Sequence, residues 1–443
     1  MTSRDAEDVA RVADAPAVDV AAAAVAAADV AAADVAAGAG ELAGRRIAID
    51  ARSIGTVETG PGIYTRQLVE RLSRLCPAAT FHLYWAKREP GTIPPGGANV
   101  VTRDLGRPVG RRAGNLLFEQ VLLPRAIVRD GCDLLWSPVF VLPLWKDRPH
   151  VVTMHDVIPL VFAREATLAR RAVYHTLLRV SARRADLVLT VSQASARDLE
   201  SRLAVPRERI EAIPNGCEPI FRPLGAHEEP ALQHCLRDLG IRRPYFLSTA
   251  GLLPRKNAHG ILEAFARAFG AGSRAPAPSL VLTGRIGAGG NGEYVEELRR
   301  RSRMHGIEER VRFPGFLSRE QIRLLYGGAL ASVDASFYEG FGFPVLESMA
   351  CGCPVLGSNA SSLPEVGGEA LLRFDPASIE EIAAALERIA GDAGLRRSMT
   401  AAGLARAGRF EWEESARAVA AAFARVLAGR VPSIETSERR RVA

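Results

Sequence analysis

Two glutamates, Glu339 and Glu347, enclose the stretch Glu339-Gly-Phe-Gly-Phe-Pro-Val-Leu-Glu347. A short apolar run ends near Asp334, just before them. Gly340 and Gly342 let the backbone pass close to a ligand, because no side chain intervenes. Pro344 suits the first turn of a helix, and the leading amides and dipole of such a helix favour an anion such as a diphosphate. On this pattern Glu347 falls on the first helical turn and Glu339 before it, so two carboxylates flank one anion-binding turn. A capped surface helix with one solvated and one dipole-compensating glutamate fits the same spacing.

Cationic groups of matching chemistry stand elsewhere. Thr249-Ala-Gly251-Leu-Leu-Pro-Arg255-Lys256-Asn257 reads as a strand-to-helix turn carrying a basic pair. Lysine acts as a mobile point charge and arginine forks onto phosphate oxygens; a solvated basic turn is the alternative. His155, in Met154-His155-Asp156, ends an apolar strand. A lone histidine there is ordinarily a structural hydrogen-bonder, but a strand end is also where α/β sheets bind ligands. Gly60-Pro-Gly62 reads as a glycine-rich turn before a helix whose apolar positions are Ile63, Leu68, Leu72 and Leu75. In Ser192-Gln-Ala-Ser195-Ala-Arg-Asp198, Ser195 and Asp198 have capping-box-like spacing. Neither an Asp-x-Asp triplet nor a set of Cys and His at metal-ligand spacing accompanies these groups, and Cys351-Gly-Cys353 lacks partner ligands. No metal site is expected.

The elements that must position these residues alternate strand and helix. Apolar runs at 47–50, 81–84, 134–136, 151–153 and 187–190 predict strands of a first parallel sheet. A second set follows at 245–248, 280–283, 311–313, 329–333 and 354–356, with helices expected over 258–269, 293–305 and 380–390. The fold class is therefore α/β, two doubly wound Rossmann-like domains. Residues 45–223 form the first, 224–243 a linker, 244–408 the second, 409–428 a terminal helix, and 429–443 a frayed tail. Residues 1–44 repeat an Ala-Ala-Ala-Asp-Val unit. A five-residue recurrence turns by ~140° per step on a helix, so its valines share no face. That segment reads as a disordered or loosely helical extension, whose place in the natural protein stays open.

The formal charge of +7 is unevenly spread. Residues 1–44 carry 2 Lys+Arg against 8 Asp+Glu, whereas residues 45–223 carry 27 against 17, a net of 27 − 17 = +10. A basic half attracts anions such as phosphorylated substrates or lipid headgroups. No nucleic-acid-binding signature accompanies it, so nucleic acid is not an expected partner. Arg107, Arg111, Arg112, Arg125 and the arginines from Arg164 to Arg184 offer a surface to anionic lipid, with ordinary solvated helix faces as the alternative. Six cysteines in so long a chain do not make a disulfide framework. The longest apolar run, 134–145, is too short for a bilayer and contains prolines. A cytoplasmic protein, with at most surface contact at the inner face of the membrane, is expected.

Glu339 to Glu347, continued by Ser348-Met-Ala-Cys-Gly-Cys-Pro354 and Asn359-Ala-Ser-Ser-Leu-Pro364-Glu365, resembles the GT-B retaining glycosyltransferases of family four (group 1). Bacterial mannosyltransferases of surface-polysaccharide assembly are the relatives it is most similar to. The resemblance runs over about residues 46–428. It implies two domains facing a cleft, with a C-terminal helix crossing back to the first. It further implies transfer of a sugar from a nucleotide diphosphate to an acceptor hydroxyl with retention, by same-face displacement, without a cofactor or obligatory metal. By the same resemblance, Glu339 would bond the sugar hydroxyls and His155 its outer hydroxyls. Lys256 and Arg255 would meet the diphosphate, together with the turn at Gly342, Phe343 and Pro344. Gly62 would lie near the leaving phosphate, Glu347 at the ribose, and Gly284-Arg285 and Phe313 to Phe316 beside the base. Leu252 departs from the pattern, since many relatives carry arginine there. The implied donor is GDP-mannose, with UDP- or dTDP-linked sugars as alternatives, and the implied acceptor is a lipid-linked glycan. A non-catalytic subunit of the same fold, or another sugar-nucleotide enzyme such as an epimerase, remains the rival reading.

Overall fold

A computed structural model describes residues 40–55, 59–92, 94–106, 111–161, 168–270, 277–287 and 291–431. Residues 1–39 of the Ala-rich extension, residues 432–443 of the tail, Arg107 and Arg164 lie outside the described residues. So do the side chains of Arg111, Arg112, Arg170 and Arg171. The described residues divide into two compact units, one spanning residues 217–410 and the other comprising residues up to 216 together with those from 411 to 431.

The first unit is built on seven parallel strands: β1 (Arg46–Asp50), β2 (Thr80–Trp85), β3 (Val100–Asp104), β4 (Leu134–Ser137), β5 (His150–Thr153), β6 (Leu187–Thr190) and β7 (Ile210–Ala212). Their order is β3-β2-β1-β4-β5-β6-β7, so the winding reverses between β1 and β4. Strands β4, β5 and β6 are buried along their whole length, the pattern of a parallel sheet covered on both faces. Helix α1 (Gly60–Leu75) starts earlier than its sequence suggests. Thr59 Oγ1 accepts the Gly62 amide at 3.2 Å and Pro61 occupies the first turn, so the expected glycine turn is the helix start itself. Helix α2 (Gln193–Leu203) corrects a second expectation, because its cap is Ser192, whose Oγ accepts the Ser195 amide at 3.0 Å. Ser195 lies inside the first turn and donates its hydroxyl to the His155 carbonyl at 3.0 Å.

The second unit carries β8 (Tyr245–Ser248), β9 (Ser279–Leu282), β10 (Val311–Arg312), β11 (Ala331–Asp334), β12 (Val355–Ser358) and β13 (Leu371–Phe374), all parallel, in the order β10-β9-β8-β11-β12-β13. Here the winding reverses between β8 and β11. Helix α3 (Ala258–Phe269) buries Ile261, Leu262 and Phe265 against Phe246, Leu280 and Leu282. Burial of each such side chain contributes about 1.5–3 kcal/mol. Helix α4 (Arg319–Gly328) begins with a Ser318–Gln321 capping box. Helix α5 (Phe343–Ala350) follows Gly342, whose φ of +107° is left-handed and favours glycine. Because α5 starts at Phe343, Glu347 lies on its second turn rather than its first.

The terminal helix α6 (Trp412–Leu427) belongs to the first unit. It packs on α1 through Trp412 and Tyr64, with ring centroids 6.3 Å apart, and reaches β4 through Phe423 and Trp136 at 5.5 Å. Ser415 Oγ donates to the Pro214 carbonyl at 2.6 Å, and Arg71 pairs with Glu413 at 2.9 Å. Among the described residues no helix is long and apolar enough to cross a membrane.

Candidate active site

Ligands of doubly wound sheets bind where the winding reverses, at the carboxyl ends of the strands. In the second unit that point lies between β8 and β11. The loop after β8 carries Arg255 and Lys256, and the loop after β11 carries Glu339. Pro254 opens a single 3-10 turn, and Asn257 closes it at φ +55°, a left-handed conformation that Asn tolerates. The Asn257 side chain accepts the Gly260 amide at 3.1 Å and donates to the Pro376 carbonyl at 2.7 Å. The Phe337 amide donates to the Arg255 carbonyl at 2.9 Å, joining the two loops.

Lys256 Nζ then meets Glu339 Oε1 as a buried ion pair, and Arg255 stands 3.6 Å from Glu339 Oε2. Arg255 also donates to the Tyr338 carbonyl at 3.2 Å. Lys256 and Glu339 are each 8% exposed. Burial alone would push the Glu339 carboxyl up, but the charges of Lys256 and Arg255 outweigh it and hold the group below its ordinary value. Glu339 is therefore a carboxylate at neutral pH. Its loop is gripped from behind, since Ser361 and Ser362 donate their hydroxyls to the Glu339 carbonyl at 2.6 and 3.0 Å. Ser362 Oγ also lies 2.8 Å from the Phe341 carbonyl, so its single hydrogen is shared between the two carbonyls. Two cations and one fixed carboxylate at a strand edge suit a ligand that presents both phosphate oxygens and hydroxyls.

Glu347 lies on the same unit but makes a different contact, with Arg319 at 3.7 Å. Arg319 also pairs with Glu218 at 2.9 Å and stacks over Phe221. Tyr326 braces the start of α5, donating to the Pro344 carbonyl at 3.1 Å. Phe343 packs edge-on against Phe341, with centroids 5.3 Å apart. At the ends of β9 and β10, the Arg285 guanidinium lies 4.7 Å over the ring of Phe316, a residue that is 63% exposed. An exposed ring with a cation on one face is a stacking platform.

In the first unit, His155 is buried between Tyr64 and Phe140, with centroids 4.8 and 5.9 Å away. Its Nε2 is 3.0 Å from the Pro138 carbonyl. A carbonyl only accepts, so that nitrogen carries the proton. Burial lowers its pKa to about 4, against a smaller upward pull from the Pro138 bond, and the ring is neutral at pH 7. Phe140 has φ +46°, a strained conformation for an aromatic residue. Gly62 is required by packing, because a Cβ there would lie 2.6 Å from the Ser53 carbonyl oxygen.

Lys256, Arg255 and Glu339 are thus brought together, and Gly342, Phe343 and Pro344 form the turn that follows Glu339. Glu347 contacts Arg319 instead. The sequence reading passed over Asp334, Ser336, Asn257, Arg319, Ser361 and Ser362 as site residues. Ser361 at φ +56° sits in a Ser-Ser pair before Leu363-Pro364, and that pair was the one available signal. All six cysteines are free thiols. Among the described residues no three His, Cys, Asp or Glu side chains are grouped to hold a metal ion.

Known proteins resemble this chain in sequence and in fold. The profile of the family described as "Glycosyl transferases group 1" matches residues 237–406, and that of "Glycosyltransferase Family 4" matches residues 59–219. The chain is 32% identical over 366 residues to the O-antigen chain mannosyltransferase B of Escherichia coli, covering 80% of this chain and 93% of that protein. It is 29% identical over 292 residues to the serotype-specific mannosyltransferase WbdA of Escherichia coli, over 64% of this chain but only 34% of the relative. Sucrose-phosphate synthase from Thermosynechococcus elongatus has the same GT-B fold, with a TM-score of 0.70 at 21% identity, over 87% of this chain and 100% of that one.

Proposed function

We propose that this chain, which belongs to the group 1 glycosyltransferases of family 4, transfers mannose from GDP-mannose to a hydroxyl of a lipid-linked or polysaccharide acceptor. The observation that carries the reading is the convergence of Lys256 and Arg255 on Glu339 at the reversal of the second sheet. The choice of mannose rests on the likeness to O-antigen chain mannosyltransferase B.

Breaking the glycosidic bond leaves negative charge on the diphosphate and an oxocarbenium-like sugar. Lys256 and Arg255 stabilise the first, and preorganised charges of this kind act where charge develops. The carboxylate of Glu339 accepts bonds from sugar hydroxyls and faces the developing positive ring. The acceptor oxygen attacks the anomeric carbon from the face that the diphosphate leaves, its proton passes to a departing phosphate oxygen, and configuration is retained. Glu347 takes the ribose diol, Phe316 with Arg285 takes the base, and neutral His155 contacts outer hydroxyls of the sugar. Because Lys256 and Arg255 supply the neutralising charge, no metal is required.

The acceptor reading extends to a peripheral contact with anionic lipid at the inner face of the membrane. In the first unit Arg125, Arg179, Arg183 and Arg184 are exposed. So are Leu116, Leu144 and Trp145, at 49%, 49% and 52%. The Leu144 amide donates to Gln120 Oε1 at 2.8 Å, which fixes the Leu144–Trp145 loop one turn from Leu116.

Turnover of GDP-, UDP- and dTDP-linked sugars, each with and without a chelator, tests the proposal. Release of GDP from GDP-mannose, undiminished by chelation, is expected. Tight GDP binding with no turnover of any donor would favour a non-catalytic subunit instead.

A further inference from the structure

Asp334 closes β11 behind the Glu339 loop and is 3% exposed. Its Oδ1 is 2.5 Å from Ser336 Oγ and accepts the Ser336 amide at 3.1 Å. The same Ser336 hydroxyl is 3.0 Å from Glu339 Oε1. A serine hydroxyl has one hydrogen, and shared between two carboxylates it gives neither a full hydrogen bond. Were both ionised, that one hydrogen would have to serve two buried anions, one of them at 2.5 Å. A second proton resolves the conflict, and only Asp334 can hold it, because Lys256 and Arg255 keep Glu339 ionised. Among the described residues no group bonds the remaining oxygen, Asp334 Oδ2, which is buried. Leaving a carboxylate oxygen so stripped costs far more than leaving the carbonyl oxygen of a neutral acid.

We propose that Asp334 is a positioning residue that carries a proton in the resting protein, donating through Ser336 to Glu339 and keeping the Arg255–Lys256–Glu339 cluster net positive. The chain of donors runs from Asp334 Oδ1–H to Ser336 Oγ, and from Ser336 Oγ–H to Glu339 Oε1. With Asp334 neutral, two cations face one anion. With Asp334 ionised, the local charge falls to zero. Among the described residues the charged groups acting on Asp334 are Glu339 on its own loop and Lys256 on the loop after β8, while Arg255 reaches Glu339 and on β12 the neighbour of Asp334 in register is Gly357. Burial and the charge of Glu339 push the Asp334 carboxyl above its ordinary range, against opposing pulls from Lys256 and Ser336. That a positive cluster serves a donor diphosphate rests on the function proposed above; the proton itself does not.

Infrared spectra of the full chain at neutral pH, without donor, test the proton directly. Wild type is expected to show the carbonyl stretch of a protonated carboxylic acid, shifted by carbon-13 aspartate labelling and absent from Asp334→Asn. Labelled wild-type protein gives the same reading should the variant fail to fold. Loss of that band on raising the pH is expected to coincide with about a tenfold rise in the KM for GDP-mannose, equivalent to ~1.4 kcal/mol. In Asp334→Asn, which cannot ionise, that rise is expected to disappear. Absence of an aspartate-dependent acid band overturns the proposal. A band that titrates while the wild-type KM stays flat leaves the proton in place and overturns its link to the donor.

Discussion

Replacing Glu339 by Gln removes one negative charge and little volume, so it separates the charge of this residue from its shape. Arg255 lies 3.6 Å from the carboxylate and Lys256 is in direct contact with it. At an effective dielectric near 20, a unit-charge pair at about 4 Å attracts by roughly 4 kcal/mol before desolvation. Desolvation offsets most of that, leaving on the order of 1–2 kcal/mol with which Glu339 competes against any anionic ligand for the two cations. Glu339→Gln is therefore expected to bind GDP about tenfold tighter, a gain of ~1.4 kcal/mol. Turnover is expected to fall at least ~100-fold, about 2.7 kcal/mol, because the carboxylate no longer faces the developing cation. The fold is expected to survive, since Ser361 and Ser362 hold the Glu339 backbone carbonyl and not its side chain. Steady-state GDP release and calorimetry with GDP measure the two effects separately. Near-normal turnover removes Glu339 from the reacting step. Loss of GDP affinity in parallel with turnover would mean that the carboxylate merely holds Lys256 in place.

Three further outcomes follow from the same geometry. Glu347→Ala is expected to weaken GDP binding about tenfold with kcat within about threefold of wild type; a fall in kcat at unchanged KM would move Glu347 from the nucleotide to the chemistry. His155 has a folded pKa of about 4 against an ordinary 6.5, so below about pH 6.5 the unfolded chain takes up a proton that the native ring refuses. Its contribution is complete above about pH 6.5 and declines by up to roughly 3 kcal/mol as the pH falls to about 4. Urea unfolding at a series of pH values should show a shallower acid decline for His155→Gln, and identical declines would refute the buried neutral ring. Vesicles containing anionic lipid are expected to bind the protein in low salt and release it in high salt, with Trp145→Ser weakening the contact; binding indifferent to salt and to lipid charge would exclude this surface.

The strands legible in the sequence are chiefly those buried on both faces. Strands β8, β9, β11 and β12 read as apolar runs because helices cover them on either side. Strands β3, β7 and β13 stand at sheet edges, where a half-exposed strand admits Arg103, Asp104, Glu211 and Arg373, and no apolar run marks them. Local chemistry was misjudged where two neighbouring side chains offered the same function. Ser192 and Ser195 both suit a cap, and the fold assigns the cap to Ser192 because Ser195 reaches the His155 carbonyl across the sheet end.

Within the candidate site, residue types were legible and partnerships were not. Glu339, Lys256 and Arg255 stand out by kind and by their glycine and proline neighbours, but the Lys256–Glu339 pair spans 83 positions of sequence. That contact exists because β8 lies beside β11 in the strand order, so that the loops leaving both strands emerge at one reversal. A sheet wound in simple sequence order would place β9 and β10 between them and, at about 4.8 Å per strand, separate the loops by roughly 14 Å. The chemistry of this site is thus set less by any one motif than by the doubly wound topology, which gathers motifs from distant parts of the chain. The same topology explains why Asp334 escapes a reading of spacing alone. At the end of a buried strand it resembles a capping residue, and only its neighbours Ser336 and Glu339, with Lys256 arriving from β8, make its proton count.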